Sequence, residues 1–111
     1  LGEAAKAEAA WSRAAALAPD DVRVQLAYAQ AIYQARTDEG PLPPAFARAV
    51  EKVRALDPTN ALGLYLAGIA ASEAGDQAGA RRLWQELAAR LPEGSPERIE
   101  LEARIAALPE P

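Results

Sequence analysis

No cysteine, no histidine and no methionine occurs among these 111 residues. Without cysteine and histidine the chain cannot build a thiolate or imidazole metal centre, and haem would lack its usual axial ligands. The side chain that most often moves protons near neutral pH is missing as well. Only Asp, Glu, Lys, Tyr, Ser and Thr remain for chemistry, so the expectation is a protein with no catalysis, no metal and no cofactor. Positive charge is also short, with 12 Lys and Arg against 16 Asp and Glu. A basic stripe, the electrostatic footprint of nucleic-acid binding, does not occur, and nucleic acid is not an expected partner. No apolar run has the length of a membrane span, and nothing reads as a signal peptide. The opening at Leu1 without a start methionine is read as that of a fragment or mature piece.

What is abundant is alanine. Half of the chain is hydrophobic, yet it holds only one Phe, two Trp and three Tyr. Alanine is the best helix former and lets helices approach closely, so the composition suits thin stacked helices better than a thick globular core. Interspersed arginines and glutamates read as ordinary solvated helix faces.

Prolines give the spacing. Pro58 and Pro92 lie 34 residues apart, and Pro19 and Pro58 lie 39 apart, one period plus five residues. Each follows a helical run, at Leu17-Ala18-Pro19, Leu56-Asp57-Pro58 and Arg90-Leu91-Pro92. Proline stops a helix because it has no amide to donate and restricts the residue before it. Shifted by 73 residues, the first segment falls on the last: Gly2 on Gly75, Ala7 on Ala80, Trp11 on Trp84 and Pro19 on Pro92. The shared spacing is a small residue, three others, an aromatic, then proline eight further on. That is the second half of the tetratricopeptide-repeat (TPR) pattern, whose period is about 34 residues. The middle unit carries it more weakly with Phe46, Val50 and Pro58. For the first half of the pattern, Leu64, Ala67, Gly68 and Ala71 occupy the W, L, G and Y places, and Gln25, Tyr28, Ala29 and Ile32 occupy them more loosely.

The expected fold is therefore an all-α tetratricopeptide-repeat helical solenoid, about two and a half repeats plus a capping helix, forming a single domain over 1–111. Residues 1–19 are read as the second half of a repeat whose first helix is missing, with its helix at 4–18. Residues 22–58 form a repeat with helices at 22–36 and 46–57 around a long loop at 37–44. Residues 61–92 form the next, with helices at 61–74 and 77–90. Ser95 as N-cap and Pro96 at the first helical position start a last helix at 96–108, whose Leu101, Ile105 and Leu108 seal the array. The three prolines and the glycine of 37–44 place the excess residues in a surface loop, with a lip beside a binding groove as the alternative.

Trp11 and Trp84 share the aromatic slot of a second helix, and both are expected in the core. First helices of such arrays line the concave face. There the candidate peptide-binding residues are Leu26, Gln30 and Tyr33 in one repeat and Leu62, Tyr65, Leu66 and Ile69 in the next. The last four lie at i, i+3, i+4 and i+7, an apolar stripe additional to the packing stripe of Leu64, Ala67, Gly68 and Ala71. A helix apolar on both sides is buried on both, so the second side wants the capping helix, the neighbouring repeat or a partner. Read as a groove for an amphipathic helix, the stripe draws its affinity from apolar anchors worth roughly 1.5–3 kcal/mol each. On that reading Leu66→Glu abolishes binding with helicity intact, and salt weakens binding only slightly. The Lys, Asn and Arg clamp by which some TPR proteins hold a C-terminal carboxylate does not occur on these faces. With its first helix missing, the edge near Trp11 and Leu17 is expected to favour self-association.

A more specific likeness spans residues 55–108. It runs through Leu56-Asp57-Pro58-Thr59-Asn60-Ala61, Ala67-Gly68, Ala74-Gly75-Asp76, Leu83-Trp84-Gln85-Glu86-Leu87 and Leu91-Pro92-Glu93-Gly94-Ser95-Pro96-Glu97. This resembles the TPR region of the bacterial cytochrome c-type biogenesis protein family CcmI, also called CycH. The resemblance implies a periplasmic domain behind a membrane anchor that lies outside this chain. It implies a protein client, apocytochrome c, held through its C-terminal helix and passed to the haem-ligation machinery. The other reading of the same repeats is a structural scaffold subunit of an envelope or secretion complex. Either way, the far-ultraviolet circular dichroism spectrum should be almost wholly helical, and an appreciable strand signal would end the repeat reading.

Overall fold

In the computed structural model, residues 2–36 and 40–109 are described; Thr37, Asp38 and Glu39 of the long loop lie outside the described residues. Six helices follow one another, with no strand among the described residues: α1 Glu3–Leu17, α2 Val22–Ala35, α3 Pro44–Leu56, α4 Ala61–Glu73, α5 Gln77–Ala89 and α6 Pro96–Ala107. The chain is an all-α helical repeat of tetratricopeptide type.

The starts of α2 to α6 have chemical causes. Asp21, Asn60, Asp76 and Ser95 accept the backbone N–H of Arg23, Gly63, Gly79 and Arg98 through their side chains, closing the open N-termini of α2, α4, α5 and α6. Arg23 also faces the Asp21 carboxylate, and its hydrogen bond holds that carboxyl below its ordinary pKa. α3 has no such side chain and starts instead on proline, with Pro43 at the cap and Pro44 at the first position. That start precedes residue 46, where the sequence placed it. A proline at the first helical position loses nothing, because its missing N–H would have had no helical partner. Between α4 and α5 the chain reverses at Gly75, whose φ is 85°. Its N–H reaches the Ser72 carbonyl at 3.0 Å, and the Asp76 N–H reaches the Ala71 carbonyl at 2.8 Å, the paired closure of a Schellman motif.

α2 packs on α3, α4 on α5, and these two hairpins meet through α3 and α4, with α1 against α2 and α6 against α5. The residues in the repeat slots form the core. Ala29, Ile32, Leu64 and Ala67 of the first helices meet Phe46, Val50, Ala80, Trp84 and Leu87 of the second helices. Leu101 and Leu108 of α6 join them, with Ile105 packed at their margin, so α6 seals the end of the array. Gln25 stands where the repeat pattern has an aromatic residue, and it is buried at 5% exposure. Its amide hydrogen-bonds the carbonyls of Ala15 and Pro19, at 3.3 and 3.4 Å, which fastens α1 to α2.

α4 and α5 approach closely in the core. Trp84 is 5% exposed and lies against Gly68, where a Cβ would fall on the indole itself. The indole N–H donates to the Tyr65 carbonyl at 3.0 Å. Trp11 behaves differently, which corrects the expectation that both tryptophans are core residues. It is 39% exposed, and Leu17 nearby is 86% exposed. Trp84 docks on the first helix of its own hairpin, whereas among the described elements α1 packs on α2 alone.

Gly68→Ala should therefore cost about 1–3 kcal/mol through displacement of the indole. Gly75→Ala, whose Cβ meets open space but whose φ is positive, should cost about 1 kcal/mol. Urea denaturation followed by helix signal would read both. A Gly68→Ala midpoint equal to that of the parent would mean that α4 and α5 do not depend on this approach.

Candidate peptide-binding face

The first helices α2 and α4 lie beside each other, and their C-terminal ends are tied by charge. The Arg36 guanidinium contacts the Glu73 carboxylate at 3.2 Å and donates to the Gly40 carbonyl at 3.2 Å. Glu73 also accepts the Leu42 N–H at 3.2 Å, and Leu42 packs against the core. The described part of the long loop is thereby pinned across the ends of both first helices. Arg36 also covers the Tyr33 ring at 5.3 Å, and Tyr33 leans on Phe46 with ring centroids 6.2 Å apart.

Further along α4 stands a second aromatic arrangement. The Tyr65 ring stacks on Trp84 at 6.0 Å, and Arg104 of α6 lies over Tyr65 at 5.7 Å. Burial raises the Tyr65 phenol above its ordinary pKa; the Arg104 charge opposes the shift, and nearby Tyr33 and Glu100 add to it. α6 packs on α5 and stands off from α4, leaving an apolar cleft of about 390 Å³. Ala61, Leu62 and Tyr65 form one wall, Leu87, Leu91 and Leu101 supply the apolar floor, and Glu97, Glu100 and Arg104 stand on the α6 side.

The sequence-predicted residues thus separate into two sets. Leu26, Gln30, Tyr33, Leu62 and Tyr65 are partly exposed on the first helices. Leu66 and Ile69, at 3% and 8% exposure, belong to the core. The uninterrupted apolar stripe therefore reduces at the surface to Leu62 and Tyr65. A glutamate at position 66 would bury a charge among apolar side chains and act on folding, which corrects the expectation that helicity survives Leu66→Glu. The physical reason is that α4 is covered on more than one side by its neighbours in the array. Sequence reasoning missed Leu87, Leu91, Glu97, Glu100 and Arg104. Leu87 and Leu91 follow the aromatic slot at helical spacing and read as packing, while the α6 residues depend on the angle at which that helix docks, for which the sequence has no signal.

An array of paired helices, sealed at one end by α6 and with a partly open first-helix face, defines a tetratricopeptide protein-interaction domain. The sequence matches the family model described as "Cytochrome c-type biogenesis protein H TPR domain" over residues 1–98, and the chain belongs to that family. No curated protein and no solved structure matches it. Membership carries a protein-binding role in cytochrome c maturation, and TPR domains of biogenesis proteins are typically non-catalytic interaction modules.

The position of Tyr65 can be read directly. A difference absorbance titration between the parent and Tyr65→Phe should place phenolate formation above the ordinary value of about 10. Removing the opposing charge with Arg104→Ala should move it higher. The folded pKa is raised, so this tyrosine's contribution to stability is intact below the unfolded value and is lost as pH rises through the folded one. An unshifted titration would show that the Tyr65 ring lies in water.

Proposed function

We propose that this domain is a holdase for apocytochrome c in the bacterial periplasm, receiving the client's C-terminal amphipathic helix on the face of α2 and α4. The parent protein is then anchored in the inner membrane by a segment outside this chain; no described helix is itself long and apolar enough to cross a membrane. The observation that carries the reading is the cleft beside Leu62 and Tyr65, an apolar surface on the first-helix layer that α6 borders without filling. Family membership supports the process, and the cleft supports the mode of binding. A helix laid into such a groove presents apolar side chains at i, i+3 or i+4. Leu62 and Tyr65 are one turn apart and offer the matching surface. Leu26, Gln30 and Tyr33 of α2 extend it, and the pinned segment around Leu42 borders its far end.

Calorimetry with a peptide of an apocytochrome c C-terminal helix tests this. Leu62→Glu should weaken binding at least about tenfold, the loss of one buried anchor. Because Leu62 is only partly buried, helicity should be retained. Unchanged affinity in folded Leu62→Glu would place the client elsewhere on the molecule.

A further inference from the structure

The two walls of the cleft differ in charge. The α4 wall has none: from Ala61 to Ser72 the helix contains no Asp, Glu, Lys or Arg. The α6 wall carries Glu97, Glu100 and Arg104. Glu97 forms no ion pair among the described residues. It lies in the first turn of α6, at the end of the helix whose dipole complements a negative charge. Glu100 reaches Arg104 only at 4.0 Å, with its side chain 74% exposed, and Arg104 is engaged over the Tyr65 ring. Two carboxylates therefore stand one helical turn apart along one rim of an apolar cleft, with a single cation already committed to an aromatic ring.

We propose that this cleft reads charge as well as apolar shape. It takes a helical client segment with two basic residues one turn apart beside the apolar stripe, seated with its basic edge on Glu97 and Glu100 and its neutral edge on α4. This rests on the client-holding reading above and adds to it an orientation and a class of client. An acidic edge would meet both carboxylates across a short distance. An uncharged edge would gain only the apolar contacts. The asymmetry also fixes which way round the segment lies, because only one wall rewards lysine or arginine. Rim charges of this kind contribute modestly to affinity and more to selection among partners. They also replace the expectation of slight salt dependence with a measurable one.

Two synthetic amphipathic helices with the same leucine stripe test the proposal, one with two lysines three residues apart along one edge, the other with glutamates there. At low salt the lysine peptide should bind roughly tenfold more tightly. The advantage should shrink at about 0.5 M salt. It should vanish in the Glu97→Gln/Glu100→Gln double variant, whose substitutions are both on exposed side chains and whose fold circular dichroism would check. Equal binding of the two peptides to the parent would overturn charge selection while leaving the apolar groove standing. A lysine preference that persists in the double variant would overturn it too, by placing the reader elsewhere. If neither peptide binds, the client-holding reading fails and this proposal fails with it.

Discussion

The approach of the Trp84 indole to the bare backbone of Gly68 sets the geometry on which the site depends. It brings the α5 indole into the space that a Cβ at position 68 would fill, and the indole N–H to Tyr65 carbonyl bond fixes the ring's direction. Trp84 then backs the Tyr65 ring. Tyr65 is thereby held partly out of the core, stacked from behind and covered by Arg104 from α6. One residue of α4 thus belongs to the packing of the hairpin and to the wall of the cleft together. Widening the α4–α5 contact would move the wall as well as weaken the core.

The array is built from repeated contacts that do not have the same chemistry twice. In the last hairpin an aromatic ring meets glycine. In the middle one Phe46 and Val50 fill the space, with Ala29 in the small-residue slot. Between α1 and α2 a buried amide replaces aromatic packing, and Gln25 reaches two carbonyls at a helix end. Solenoids tolerate such variety because each unit need only match its neighbours. The ends differ accordingly. α6 turns Leu101 and Leu108 inward, whereas α1 leaves Trp11 and Leu17 largely in water.

Charge does separate work from packing. The Arg36–Glu73 pair does not lie in the core; it ties two first helices and a loop segment at one end of the inner face. Arg104 likewise serves at an aromatic surface, beside Glu100, which it reaches only at 4.0 Å, and Glu97, which forms no ion pair among the described residues. A polar rim around an apolar centre is the usual anatomy of a protein-binding surface. Here the rim is supplied chiefly by α6, the helix that also seals the array.

The class of fold is legible from the residues alone. Proline spacing, capping residues and the paired tryptophans are local signals, and local chemistry decides where a helix starts and stops. The six helices accordingly lie within about two residues of their expected ends, α3 differing most because Pro43 and Pro44 read equally as loop and as helix start. Family resemblance was legible for the same reason, in short runs such as Leu83-Trp84-Gln85-Glu86-Leu87. Periodicity also placed Leu62 and Tyr65 on one face of α4. It could not show that Leu66 and Ile69, one step around the same helix, would be covered. The shared aromatic slot put Trp11 and Trp84 in the core alike, although the open edge expected near Trp11 and Leu17 already pointed to the exposure of Trp11; the two differ in what stands opposite. The cleft was illegible for a further reason: its floor and charged rim come from α5 and α6, brought to α4 by the angle at which α6 docks. That angle is the outcome of packing across the whole array and has no local signal in the chain.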